Sequence, residues 1–208
     1  MWRGCLSICC DEYFRLPENR FCPLIQYHER NPMNLEEKQI SSNTLFEGSF
    51  LNIHQDQILL PNGNQTQRVV VRHSGATCVL AVTDDERVVL VRQWRYAAGR
   101  ALLEVPAGKL DAGEDPAECA LRELAEETPY VAERVEYILK FYTAPGFCDE
   151  VIHLYRAVNI RPNSTLSPDQ DEFVETVLLN REQARAAVEN GEICDGKTLI
   201  ALQYWFNE

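Results

Sequence analysis

Positive charge is scarce in this sequence. Twenty lysines and arginines stand against 32 aspartates and glutamates, a formal net charge of −12 over 208 residues. That balance argues against a nucleic-acid partner, because a duplex binder presents a basic face to the phosphates. It also means that any anionic substrate must be met by a few local cations or by metal ions. Long apolar runs are missing too. None approaches the roughly 18–20 residues that cross a bilayer, so a soluble chain with no membrane partner is expected. Asp11, Glu12 and Arg15 break up the segment where a secretory signal would carry its apolar stretch. The eight cysteines lack paired CxxC spacing. Cys5, Cys9, Cys10 and Cys22 crowd the first 22 residues without a histidine cluster, which disfavours a zinc site. Cys78, Cys119, Cys148 and Cys194 are scattered singly, as reduced core thiols of a cytoplasmic protein are. Repeats and low-complexity tracts are absent.

What is present suggests one domain with extensions. The length fits a single core, and 45% apolar residues are enough to build it. Residues 1–40 carry Pro17, Pro23 and Pro32 without a sustained period and read as an irregular extension. A small β domain, suited to dimerisation, is expected over 41–75. Runs 45–53, 57–60 and 68–72 form it, with Asn62-Gly63 as a hairpin turn. The catalytic domain is expected over 76–208. It opens with strands 76–82 and 87–92 joined as a second hairpin, then 102–105. A helix follows over 116–127, then strands 137–142, 151–158 and 173–179. Two helices close the chain. The first is introduced by an Asn180/Gln183 capping box and stopped by Gly191; the second spans 196–206. This order predicts an α/β fold with a mixed sheet.

The segment 107–130 carries the chemistry. Asp115 suits an N-cap, Pro116 the first helical position and Glu118 the third. Ala117, Leu121, Leu124 and Thr128 recur at helical steps as the buried stripe. Glu123, Glu126 and Glu127 are spaced i, i+3, i+4 and share a neighbouring face. Three carboxylates near a helix C-terminus repel one another and the helix dipole. Magnesium or manganese would resolve the conflict, since hard oxygen ligands suit them. Arg122 is placed to hold Glu118 or Glu126. For an isolated E-x-x-E-E, a solvated acidic face is the simpler reading.

This one is not isolated. Gly108, Glu114, Arg122, Glu123, Leu124, Glu126, Glu127 and Tyr130 match a glycine, five residues, Glu, seven residues, then Arg-Glu-aliphatic-x-Glu-Glu-x-Gly-aliphatic. The pattern resembles the Nudix box. The resemblance implies divalent metal, Mg2+ or Mn2+, on the Ala107 carbonyl, Glu123 and Glu127, with Glu126 as a further ligand. Gly108, Glu114 and Arg122 would be structural. One position departs: Pro129 stands where the box has glycine. Proline cannot take positive φ, so the helix must end differently.

Outside the box, Arg92-Gln93-Trp94-Arg95-Tyr96, Leu103 to Gly108, Tyr142 to Phe147 and Gly191 to Thr198 resemble the ADP-ribose pyrophosphatase branch. Pro145 lies sixteen residues after Pro129, as in that branch. The resemblance implies a Nudix α/β/α sandwich preceded by a small antiparallel sheet domain, in a homodimer. It implies ADP-ribose as substrate, cleaved to AMP and ribose 5-phosphate. Arg95 would contact the diphosphate and Glu104 the ribose side, while Pro145 and Gly146 shape a loop near the terminal ribose. Glu172, in an acidic loop, would be the general base or a late metal ligand. Phe46 and Phe50 are candidates for adenine stacking. Two alternatives remain open: a GDP-mannose or other nucleotide-sugar pyrophosphatase, and a non-catalytic ADP-ribose-binding module.

Overall fold

The computed structural model describes residues 33–166 and 173–208. Glu37–Glu208 forms one unit. It begins with β1 (Lys38–Glu47), β2 (Leu51–Leu59) and β3 (Gln65–His73), an antiparallel sheet in the order β1-β2-β3. The Asn62-Gly63 hairpin is present, with Gly63 at φ 85° as a left-handed turn position requires. The run 45–53, however, is not one strand. It spans the β1–β2 turn, where the Gly48 N–H donates to the Leu51 carbonyl (3.0 Å) and the Asn52 carboxamide (3.1 Å). β1 also begins at Lys38, inside the stretch read as irregular.

Next come β4 (Ala76–Leu80), β5 (Arg87–Arg95), β6 (Arg100–Glu104), β7 (Ala107–Lys109), α1 (Pro116–Glu127), β8 (Tyr130–Val131), β9 (Arg134–Tyr142), β10 (Val151–Val158), β11 (Arg161–Pro162), β12 (Val174–Asn180), α2 (Arg181–Glu189) and α3 (Gly196–Phe206). One sheet has the order β7-β4-β10-β9, with β4 and β10 parallel and the other pairs antiparallel. A second is antiparallel, β12-β5-β6, and β8 and β11 form a short ribbon. The expected hairpin between β4 and β5 is only half realised. The 83–86 turn is tight, and Val82 bridges Val88, but the strands then part into different sheets. β4 finds its partners in β7 and β10, and β5 in β6 and β12.

All five residues of β4 are buried. Strands covered on both faces are apolar throughout rather than alternating, and this one is. Cys78 and Leu80 of β4 join Val88 and Leu90 of β5 in a core with Ala184, Leu202 and Trp205 from α2 and α3. Val79, Ala81 and Val89 point the other way, onto Ala120 and Leu124 of α1. Helices thus cover both sides of a mixed-sheet α/β core, as the expected layering requires. Full burial of a side chain such as Leu124 contributes roughly 1.5–3 kcal/mol. Of the expected stripe on α1, Leu124 and Thr128 are buried and Ala117 packs against the same cluster, while Leu121 is only half-buried and its neighbour Ala120 is fully buried instead.

Local signals at the helix starts hold. Asp115 accepts from the Ala117 N–H (2.8 Å), and the Asn180/Gln183 capping box is complete. Cys78 and Cys119 are buried thiols, and burial pushes both up to about 12. Cys194 is exposed, so it is not a core residue as expected. No described helix is long and apolar enough to cross a membrane.

The exit of α1 answers the question Pro129 raised. No left-handed residue is used there; Thr128 is extended (φ −136°, ψ 161°), the conformation that a following proline favours. The Thr128 hydroxyl donates to the Leu124 carbonyl (2.5 Å) and accepts from the Tyr130 N–H (3.1 Å). The Ser164 hydroxyl donates to the Ala125 carbonyl. The Pro129 carbonyl in turn accepts from the N–H groups of Asn163 and Ser164, both at 3.1 Å. Hydroxyls take over the helix-end carbonyls that a glycine motif would leave to backbone amides.

Candidate functional site

α1 packs across β7 and β4. β7 is pinned to β4 by the Thr77–Gly108 register, and the preceding Pro106 carbonyl accepts from the Val79 N–H (2.9 Å). Onto this short backbone come two carboxylates from α1. Glu127 accepts from the Ala107 N–H (2.9 Å). The Glu123 carboxylate lies directly over Gly108, and a Cβ built there would fall inside it. Gly108 is therefore needed for space rather than for a special φ. Glu123 and Glu127 are only 7% and 5% exposed. Carboxylates are seldom so buried without compensating partners.

Arg122 supplies the compensation for Glu123. Its Nε and Nη2 donate to the two oxygens of Glu114 (2.9 and 3.0 Å), a two-pronged pairing. Its Nη1 donates to Glu123 (2.7 Å) and Glu126 (2.9 Å). One guanidinium thus joins three carboxylates; Glu118 is not among them. These bonds, the Glu114 pairing foremost, push Arg122 well above its ordinary range. Glu114 moves the other way. Arg122 holds it down at about 2, against a smaller upward push from burial, with the Asp111 N–H adding a bond at 3.0 Å.

The hard oxygen donors of Glu123 and Glu127, meeting at Ala107–Gly108, fit a magnesium- or manganese-sized cation. A preformed cage is another matter. Among the described residues, no group of three or more His, Cys, Asp or Glu side chains converges as metal ligands do. Glu126 instead leans on Arg122, with its side chain 28% exposed.

A second cluster lies at the end of β6. Arg95 and Glu104, expected as separate substrate contacts, are bonded to each other through two contacts of 2.7 Å. Glu104 is 1% exposed. Burial pushes its carboxyl up, but Arg95 and Lys197 together outweigh burial and hold it below its ordinary value. The bond to Glu104 raises Arg95 in turn, and Glu127 and Asp195 add to that field. Lys197 has no role that the sequence alone assigns. It ion-pairs with Glu104 and with Asp195 (3.1 Å), and the only hint of it was the 191–198 segment.

Pro145 and Gly146 lie apart from both clusters in sequence, between β9 and β10. Their loop is tied to β3: the Val71 N–H donates to the Phe147 carbonyl (2.7 Å), and Asp149 accepts from the His73 N–H (2.9 Å). Phe147 and Phe50 are both exposed. Glu172 lies outside the described residues, as does Asp171. A shallow cavity of about 710 Å³ beside Leu139, Leu199 and Tyr204 includes no residue of either cluster.

The model of the NUDIX domain matches residues 71–200. The chain is 42% identical over 172 residues to the ADP-ribose pyrophosphatase of Bacillus subtilis, covering 82% of this chain and 93% of that one. It is also 42% identical over 170 residues to the methanol dehydrogenase activator of Bacillus methanolicus, covering 81% and 92%. A GDP-mannose pyrophosphatase of Yersinia pestis is 36% identical over 149 residues, covering 67% and 74%. Among solved structures, an ADP compounds hydrolase superposes with a TM-score of 0.70 at 21% identity, over 83% of this chain and 95% of that one. That likeness is one of fold.

The depressed Glu114 gives a pH signature. A carboxyl whose folded pKa lies below its ordinary 4.5 contributes stability that is complete above that value and lost as pH falls through about 2. Glu114→Gln should start less stable at neutral pH and lose less between pH 4.5 and 2. Urea midpoints measured across that window check it; parallel curves for the two proteins would contradict the Arg122 pairing.

Proposed function

We propose a substrate and a mechanism from one premise: the chain belongs to the Nudix family, and is an enzyme of the Nudix hydrolase class acting on diphosphate-containing substrates. The substrate proposed is ADP-ribose, hydrolysed to AMP and ribose 5-phosphate. The observation that carries the hydrolytic half is the burial of Glu123 and Glu127 against Ala107–Gly108. The substrate half is supported by the 42% identity to an ADP-ribose pyrophosphatase over nearly its whole length. GDP-mannose is the second reading, favoured by the 36% identity to GDP-mannose pyrophosphatases.

In this proposal Glu123, Glu127 and the Ala107 carbonyl hold magnesium, or manganese, with Glu126 as a further ligand. The bound ion supplies positive charge at the diphosphate and lowers the pKa of a coordinated water. Arg95 adds a cation for the diphosphate in an otherwise acidic protein. Arg122 keeps Glu123 and Glu126 oriented, and Glu114 and Gly108 keep that arrangement in place. Glu172 takes the proton from the attacking water. Pro145 and Gly146 shape the loop at the terminal ribose, and Glu104 sits behind Arg95.

A homodimer and a cytoplasmic setting complete the proposal. Every residue of β1 is exposed, and Ile40, Leu45, Phe46 and Val69 show apolar surface on its sheet, with Phe50 exposed in the turn beside them. A long, uncovered strand of this kind is a liability unless another chain covers it. The free, buried Cys78 and Cys119 suit a reducing compartment. Sedimentation should give about twice the 23.8 kDa chain mass, and a 23.8 kDa species would contradict the dimer.

The function is tested with ADP-ribose, GDP-mannose and related diphosphates in magnesium or manganese. AMP release from ADP-ribose is expected, falling roughly 100-fold or more in Glu127→Gln as metal assistance is lost. No AMP from ADP-ribose sinks the first reading, and GMP from GDP-mannose would favour the second. Full activity in Glu127→Gln would contradict the metal assignment.

A further inference from the structure

The segment from Gly191 to Thr198 has no part in the mechanism above, yet its side chains reach the site. Asp195 caps α3, accepting from the Thr198 N–H (3.0 Å) and hydroxyl (2.6 Å). The Thr198 hydroxyl accepts from the Val105 N–H (2.9 Å), two residues before Ala107. Between Asp195 and Thr198 stands Lys197, whose side chain is 10% exposed and ion-pairs with both Asp195 and Glu104. The first turn of α3 therefore grips the end of β6 twice, once at the Val105 N–H just beyond it and once by charge at Glu104.

The charges alternate along the line of contacts: Asp195, Lys197, Glu104, Arg95. Side-chain exposures are 18%, 10%, 1% and 39% in that order, so the last member is the most open. Arg95 gives Nε and Nη2 to Glu104, and its Nη1 amino group is not used by that pairing. Without Lys197, Arg95 would be the sole close counterion of a fully buried carboxylate. It would then be drawn onto Glu104 and its charge spent there. With Lys197 sharing the carboxylate, Arg95 is fixed in direction and still electropositive on its outer edge.

We propose that Lys197 is a positioning residue, acting through Glu104 to aim Arg95 at the diphosphate of a nucleotide substrate. The proposal rests on the hydrolase reading for the identity of the ligand, but concerns its binding rather than its cleavage. Lys197 does not touch substrate in this arrangement; its effect passes through the carboxylate.

The test uses the full chain and calorimetric titration with ADP-ribose, and in parallel GDP-mannose, with divalent metal chelated so that binding is read without turnover. Lys197→Met should weaken binding by about tenfold, the order expected for a lost charged hydrogen bond, and Lys197→Arg should restore most of it. In a Glu104→Gln background, adding Lys197→Met should change the affinity by less than about twofold, since the two side chains act in series. Circular dichroism and thermal melts confirm that each variant is folded. Wild-type affinity in folded Lys197→Met overturns the proposal. So does an undiminished Lys197→Met loss in the Glu104→Gln background, which would mean direct contact with substrate. Wild-type chain that binds neither nucleotide overturns it as well. Binding that follows the expected pattern without AMP release under magnesium would leave Lys197 in place and count against the hydrolase substrate alone.

Discussion

A single guanidinium holds the centre of this molecule together. Arg122 bonds Glu114, Glu123 and Glu126 at once, and each of those bonds fixes something different. Glu114 belongs to the loop before α1, so its pairing anchors the helix start to the helix middle. Glu123 is buried against Gly108, where an uncompensated charge would be expelled or protonated. Glu126 would otherwise add a third negative charge near the negative end of the helix dipole, with no basic residue in the last turn to offset it. Remove the guanidinium, and three carboxylates within one helix and its lead-in repel one another.

The Arg95–Glu104 cluster repeats the same logic on the adjoining segment. A buried carboxylate is satisfied by cations on either side, and one of those cations remains partly exposed. The backbone just before β7 is held from both sides, the Val105 N–H by Thr198 of α3 and the Ala107 N–H by Glu127 of α1. Two rigid charge networks flanking a short strand suit a site that must receive a highly charged ligand in an acidic protein. In these two clusters the positive charges of Arg95, Lys197 and Arg122 are each held in place by carboxylates.

Much of this was legible because it is local. The limits of α1, its Asp115 cap, the Asn180 capping box and the Asn-Gly turn all follow from neighbours a few residues apart. The spacing of Glu114, Arg122, Glu123, Glu126 and Glu127 pointed to the cluster for the same reason. What was not legible depends on partners far along the chain. Pro129 announced an altered helix exit, but the solution came from Asn163 and Ser164. Arg95 and Glu104 look independent until β5 pairs with β6. Lys197, 93 residues from Glu104, joins them only when α3 docks. The β1–β2 turn is the exception, being local: Gly48-Ser49 is itself a turn signal, but it sits within the β-rich run 45–53, which hides the break.

In the proposed function, α1 and β7 form a cation site organised by Arg122. Titration of manganese into the metal-free chain, followed by the paramagnetic signal of the free ion, tests it without reference to substrate. Saturable binding is expected in the wild type, weakened about tenfold or more in Glu123→Gln, since outer partners alone alter metal affinity by 10–100-fold. Equal binding by the two proteins, or no saturable binding by either, would contradict the account.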